Sequence, residues 1–281
     1  MKSEYFNSMR KGWRQQIVHF SLFTLTFFCA PSLLLAQVGE YRNDFAIGGS
    51  AGVVLSSVSF VPEVPQDQLV GKTAGLTLRY VGEKYFNSIC AVVAEVNYAQ
   101  IGWKERIWDY NDEAVINPTT NEAEHYARKI NYLQVPLLAR MGWGRERRGF
   151  QFFFQVGPQL GVWLSESTDA NFDLDNPNVN QRISHVSGPD ITVDNYTYHY
   201  SNMYHKPVEN KFDYGIAGGG GLEFSHPKVG HFLLEGRYYF GLGNIYGNSK
   251  RDYFSKSNIQ NIVVKLSYLF DVSRTKNSKI K

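Results

Sequence analysis

The chain has 281 residues, with 29 Lys and Arg against 26 Asp and Glu and a formal net charge of +3. Residues 1–36 hold Lys2, Arg10, Lys11, Arg14 and Glu4, so the rest balances at 25 basic and 25 acidic side chains, which argues against nucleic acid as a partner. Only Cys90 of the two cysteines lies beyond residue 36, excluding an internal disulfide there, while 15% aromatic residues and 25 glycines suit an all-β chain.

Residues 1–36 read as an export signal peptide. A basic head precedes the apolar stretch Ile17 to Leu35, and Leu34-Leu35-Ala36 offers a small residue before Gln37 as the cleavage point. A retained membrane helix is the alternative, and Pro31 argues against it. Cys29 does not fit a lipoprotein site, because Phe27 and Phe28 are too bulky.

Eight segments then alternate with a period of two. The first is Asp44–Ser56, with Phe45, Ile47, Ala51, Val53 and Leu55 on one face. Thr73–Val81 sets Ala74, Leu76, Leu78 and Tyr80 against Thr73, Thr77 and Arg79. Ile89–Gln100 sets Val92, Ala94, Val96 and Tyr98 against Glu95 and Asn97. Ile130–Met141 sets Leu133, Val135, Leu137 and Ala139 against Gln134, Leu138 and Arg140. In Phe150–Leu164, Phe150, Phe152, Phe154, Val156, Leu160, Val162 and Leu164 alternate with Gln151, Gln155, Gln159 and two glycines. Phe212–Phe224 opposes Tyr214, Ile216, Leu222 and Phe224 to Asp213 and Glu223, and His231–Leu242 opposes Phe232, Leu234, Tyr238 and Phe240 to Glu235 and Arg237. The last runs through Ile262, Val264, Leu266, Tyr268 and Phe270, with Lys265 and Ser267 opposite.

Each segment is near or above the ~9–11 residues a tilted strand needs to cross a bilayer. The connections sort as well. Residues 82–88, 142–149 and 225–230 are short, whereas 57–72, 101–129, 165–211 and 243–258 are long. That alternation predicts an eight-stranded antiparallel transmembrane up-and-down β-barrel over residues 37–270, with short periplasmic turns, long extracellular loops and a basic periplasmic tail at 271–281. It places the chain in the outer membrane of a Gram-negative bacterium. Tyr80, Phe150, Phe224, Phe232 and Phe270 fall at the periplasmic strand ends on the oily face and are expected to form an interfacial girdle. A soluble lipocalin-like calyx is the runner-up, and it requires the opposite faces, apolar inside and polar outside.

The sequence resembles the PorT-like family of small outer-membrane β-barrels of the Bacteroidota, from about Phe45 to Phe270. The residues that carry the resemblance are Glu95 to Tyr98 with Gly102, Tyr132-Leu133-Gln134-Val135-Pro136-Leu137-Leu138, and Gly157-Pro158-Gln159-Leu160-Gly161. Asp213-Tyr214-Gly215, Gly219-Gly220-Gly221-Leu222-Glu223 and the ending Leu266-Ser267-Tyr268-Leu269-Phe270 complete it. Gln134 stands where family members often carry Glu. The resemblance implies an outer-membrane barrel domain, and the family's naming member is linked to type IX secretion, which makes a secretion-accessory role one expectation.

The lumen face collects Arg79, Arg140, Arg237 and Lys265 against Glu95, Glu223 and Glu235. An eight-stranded interior is just wide enough for side chains to fill, so these charges are expected to pair, Arg79 with Glu95 and Glu235 with Lys265. The network is expected to be a structural plug, with a narrow polar conduit or small-ligand carrier as the alternative. Gly215 and Gly218 to Gly221 lack the Lys-Ser/Thr and the helix of a phosphate loop, and are read as making room inside a tight barrel. Asp169, Asn171, Asp173 and Asp175 follow a calcium-loop spacing, but Leu174 and Asn180 occupy the places of the turn glycine and the bidentate acid. His185, His199 and His205 lie among Ser184, Ser187, Ser201, Asp190 and Asp194 without a nucleophile-elbow pattern, so a lipid-modifying enzyme ranks third.

The long loop 165–211 is acidic, while Arg145, Arg147, Arg148 and Arg274, Lys276, Lys279 and Lys281 make the periplasmic rim basic. The expected role is a non-enzymatic structural or interaction component of the cell envelope, without catalytic, cofactor or metal residues. Its expected partners are outer-membrane lipid, lipopolysaccharide, and a protein met through the outer loops or the rim.

Overall fold

In a computed structural model, the residues described are 40–85, 87–108, 111, 113–117, 119–145, 148–172, 191–193, 196–198, 204, 206–247 and 254–274. The chain divides into Met1–Glu40 and Tyr41–Lys281, and the second unit carries the barrel. The expected signal peptide (1–36), Cys29 and most of the basic tail lie outside the described residues.

Eight long strands carry the architecture: β1 Glu40–Val61, β2 Leu69–Tyr85, β3 Ser88–Arg106, β4 His125–Gly144, β5 Gly149–Ala170, β6 Phe212–His226, β7 Gly230–Asn244 and β8 Lys256–Ser273. Neighbours in sequence are neighbours in the sheet, from β2 round to β8. β1 lies between β2 and β8, and its long antiparallel register with β8 runs from Phe45↔Ser273 to Val61↔Lys256. The sheet therefore closes on itself and leaves no edge strand in the ring, the condition for β structure to sit in hydrocarbon.

The faces follow from the alternation. On β5, Phe150, Phe152, Phe154, Val156, Leu160, Val162 and Leu164 are exposed, whereas Gln151, Gln155 and Gln159 are buried. The same holds around the ring, with Leu76, Val92, Leu137, Ile216, Leu234 and Leu266 outside and Arg79, Glu95, Arg140, Glu223, Glu235 and Lys265 inside. A soluble monomer rarely exposes an apolar patch beyond a few hundred Å². A continuous oily belt enclosing ionic side chains is the reverse of a calyx, and it removes that alternative.

The strands run 15 to 22 residues, longer than the alternation predicts. The expected loops at 57–72, 101–129 and 165–211 are partly strand: β1 continues to Val61, β3 to Arg106 and β5 to Ala170, and β2 and β4 start at Leu69 and His125. The reason is positional. Beyond the hydrocarbon the outer sheet face meets polar surroundings and the inner face meets packed aromatic side chains, so the lipid-against-lumen contrast fades. Backbone pairing nevertheless continues, as at Lys104↔Ala127 and Glu105↔Tyr126. Residues 66–67 add a two-residue strand on β3, and 191–193 pairs with 196–198 as a separate hairpin. Gly144 and Gly149 flank the β4–β5 turn with φ of +130° and +119°, a conformation that favours glycine.

Candidate functional site

The inward parity of β2, β3, β4, β6, β7 and β8 brings all seven expected lumen charges together, each almost wholly buried. At mid-depth, Glu95 accepts from Arg237 Nη2 at 2.9 Å and Asn97 Nδ2 at 2.8 Å, and forms an ion pair with Lys265 Nζ at 2.6 Å. Glu235 accepts from Arg237 Nη2 at 2.5 Å and Gln155 Nε2 at 3.1 Å, with Lys265 Nζ at 3.4 Å. Two cations and two carboxylates thus alternate as a neutral square. Nearer the β6–β7 turn, Glu223 takes Arg79 Nη1 at 2.7 Å and also Arg140, whose guanidinium lies 3.7 Å from the centroid of the Phe153 ring.

The expected Arg79–Glu95 couple is not among the ion pairs; Arg79 goes to Glu223 instead. β2 and β6 are four places apart in a ring of eight, and so are the β7 and β3 strands that bear Arg237 and Glu95. The lumen is narrow enough for a guanidinium to reach the opposite wall, so Arg79–Glu223 and Arg237–Glu95 are struts across the barrel rather than rungs along adjacent strands. Glu235 and Lys265 do face each other in register on β7 and β8. Inward glycines make this possible: a methyl at Gly221 would stand 2.1 Å from the Leu234 carbonyl oxygen and 2.8 Å from Phe153 Cζ.

At the periplasmic mouth the fold brings together a group that sequence reasoning missed. His231 Nδ1 lies 2.7 Å from Glu223 and 2.8 Å from Ser225 Oγ, while its Nε2 lies 3.0 Å from Asp271. Arg274 binds Asp271 in turn. Serine, histidine and aspartate in sequence of contact suggest a hydrolytic triad, but three observations weigh against one. Ser225 Oγ donates to Glu223 at 3.0 Å and is buried. Both ring nitrogens face carboxylates, a geometry that an imidazolium satisfies and a general base does not. The adjoining cavity, lined by Asp44, Arg79, Arg140, Glu223, His231 and Arg274 among others, measures about 30 Å³. That is space for water, far below the ~300 Å³ at which small-molecule sites begin.

The outer half of the lumen is largely apolar, with Glu105, Arg128, Gln159 and Asp213 buried among its hydrophobic side chains. Val54, Val58, Ile101, Ile130, Tyr132, Tyr239 and Ile259 point inward, and above them Phe60, Trp103, Tyr126, Tyr204, Tyr246 and Phe254 pack together. Phe60 meets Trp103 edge-on at 5.2 Å and Phe254 at 4.5 Å. Arg128 pins this cap. It donates to Glu166 Oε2 at 2.8 Å and to the Tyr246 hydroxyl at 3.0 Å, and sits 6.0 Å from the Trp103 centroid. The sequence carries a signal for it in doublets such as Val53-Val54 and Tyr238-Tyr239, where both parities are apolar.

Loop expectations fare unevenly. Glu166, Asp169 and Glu209 are engaged by Arg128, Lys129 and Lys206, so part of the outer acidity is neutralised locally. Asn171 holds the His125 amide and the Ala123 carbonyl, which commits one member of the calcium-like series to the fold. Asp173, Asp175, Asn180, His185, His199, His205, Ser184, Ser187, Ser201, Asp190 and Asp194 lie outside the described residues, as do Arg147, Lys276, Lys279 and Lys281. Among the described residues, no cluster of His, Cys, Asp and Glu is suited to a metal ion.

At the periplasmic end, Tyr80, Phe150, Phe224, Phe232 and Phe270 are all exposed on the outer wall. Phe150 and Phe232 both face Phe224 in register, and Phe232 faces Tyr268. Ring centroids of 5.1 Å for Phe150–Phe224 and 5.0 Å for Phe232–Tyr268 show an aromatic arc across β5 to β8, which Tyr268 joins.

The family described as outer membrane protein beta-barrel domain matches residues 35–247. Solved structures similar to the chain include Neisserial surface protein A, at 9% identity over 82% of this chain and 100% of that one, with a TM-score of 0.37. Others are OprG from Pseudomonas aeruginosa (14% identity, 83% and 98% covered, TM-score 0.35) and Ail of Yersinia pestis in complex with the heparin analogue sucrose octasulfate (12%, 82% and 99%, 0.31). No curated protein matches the chain.

Proposed function

We propose that this chain, which belongs to the outer membrane protein beta-barrel domain family and resides in the outer membrane of a Gram-negative bacterium, is a non-enzymatic, non-conducting envelope component that works through its surfaces. One observation carries the reading: the lumen is spanned by ion pairs at two depths and closed above them by an aromatic cluster. A structural plug needs paired charges and a dry cap, whereas a conduit needs a continuous wetted path. The remaining surfaces are the outer loops and the periplasmic rim, where exposed Arg145 and Arg148 lie. A protein partner is met there. Membership of the PorT-like branch of the Bacteroidota, and with it a secretion-accessory role, is the narrower reading that the quoted motifs support.

Conductance in planar bilayers tests the plug against the conduit. The wild-type barrel is expected to be electrically silent, and R237A is expected to lose stability rather than to change any current. Steady currents from the wild type that shift in ion selectivity on R237A would establish the conduit and displace this reading.

A further inference from the structure

Just beyond the oily rows, the outer wall of β2–β4 carries a basic group that takes no part in the lumen network. Leu76, Val96, Tyr98 and Leu133 are exposed on these three strands within the hydrocarbon belt. Toward the outer end follow Lys72 on β2, Lys104 and Arg106 on β3, and Lys129 on β4, all on the outward parity and all exposed or half-exposed. Lys104 faces Ala127 and Gly102 faces Lys129 in register. Lys104 and Lys129 are therefore diagonal neighbours, ~7–8 Å apart at most between Cβ atoms, with no side chain at Gly102 between them. Thr73 faces Ala99, which sets Lys72 on the other flank of β3, near the level of Gln100.

Local carboxylates only partly answer this charge. Arg106 meets Asp67 at 3.4 Å and Lys129 meets Asp169 at 3.3 Å, both as solvent-exposed pairs of the kind worth little. Lys72 enters no ion pair among the described residues, and Lys104 faces Asp67 in register, a carboxylate already shared with Arg106. The grouping is one-sided: on β7, β8 and β1 the outward side chains near the outer end are Leu242, Asn244, Gln260, Ser57 and Ser59, with Lys256 the one cation described there.

We infer that Lys72, Lys104 and Lys129 form a binding site for a phosphorylated glycolipid of the outer leaflet, its phosphates on the three ammonium groups and its acyl chains along the exposed rows below. Charge complementarity and continuity with the lipid-facing wall select this occupant. Ammonium groups directly above a hydrocarbon belt lie at headgroup depth, where anionic lipid attracts them. A soluble acidic protein would gain nothing from the apolar rows that adjoin the cluster. The inference depends on the outer-membrane placement and not on whether the lumen conducts.

The test is binding of bisphosphorylated lipid A to the folded barrel in detergent micelles. Dephosphorylated lipid A and inorganic phosphate serve as comparison probes, and a heat-modifiable gel shift verifies folding. At roughly fivefold per cation, K72Q/K104Q/K129Q is expected to bind about a hundredfold more weakly. K72R/K104R/K129R and the control K211Q/K256Q are expected to bind as wild type, and dephosphorylated lipid A poorly. If the triple glutamine variant does not fold, K72Q and K104Q singly should each lose about fivefold. Equal loss in K211Q/K256Q, unchanged binding in the glutamine variants, or full displacement by inorganic phosphate at the lipid's own concentration would overturn the site, the last by making it a free-anion site.

Discussion

Glu95→Gln is the perturbation that separates a dry plug from a wetted passage. Glu95 is 1% exposed and is shared by Arg237 at 2.9 Å and Lys265 at 2.6 Å. Neutralising it leaves those two cations to Glu235 alone, at 2.5 Å and 3.4 Å. Removing one partner of a buried ion pair costs about 3–5 kcal/mol, and two charge-assisted hydrogen bonds at about 1.5–3 kcal/mol each give a similar range. Glutamine keeps the volume and one acceptor, so the lower end, about 3 kcal/mol, is expected. Reversible urea unfolding from detergent or lipid, followed by tryptophan fluorescence and gel mobility, measures it. The double variant E95Q/K265M restores one cation to one carboxylate and is expected to recover at least half of the loss. A loss below about 1 kcal/mol for E95Q, or strict additivity in the double variant, would mean that water already solvates these charges, and the reasoning would fail.

Two further outcomes rest on the same packing. Gly221→Ala forces a methyl against the Leu234 carbonyl and the Phe153 ring, and is expected to destabilise by about 1–3 kcal/mol; an unchanged urea midpoint would show that β7 yields freely. Arg128→Ala frees Glu166 and the cap residue Tyr246. Because Glu166 is partly exposed, the cost is set near ~2 kcal/mol, below the fully buried range. Amide exchange in residues 206–211 and 244–247 should quicken, and unaltered protection there would contradict the pinning role.

The strands and their faces are legible in the sequence because lipid and an ionic lumen impose opposite demands on successive side chains. Phe150–Leu164, with phenylalanines against glutamines, states both demands within one segment. Strand ends are not legible, since Lys104-Glu105-Arg106 reads as loop although the backbone ladder continues through it. The cap is hidden for a related reason. Alternation reads as apolar-out and polar-in, yet Val54, Val58, Ile130 and Tyr239 are apolar and inside, where the outer lumen is filled mostly by packed hydrophobic side chains with few charges among them. The lumen residues themselves can be named from parity, but their partners cannot. Arg79 and Glu223 are 144 positions apart, and which wall a guanidinium reaches depends on ring diameter. The His231 group needs three strands brought to one end: Ser225 and Glu223 on β6, His231 on β7 and Asp271 on β8.

Spin-label accessibility along β5 in lipid vesicles tests the central assignment of faces most directly. Single labels at Phe152, Phe154, Val156, Gln151, Gln155 and Gln159 would be read with oxygen, which concentrates in hydrocarbon, and with a water-soluble nickel complex. Strict alternation is expected, with high oxygen exposure at Phe152, Phe154 and Val156 and shielding from both reagents at the three glutamines. Oxygen exposure at Gln155, or nickel exposure at Phe154, would contradict it.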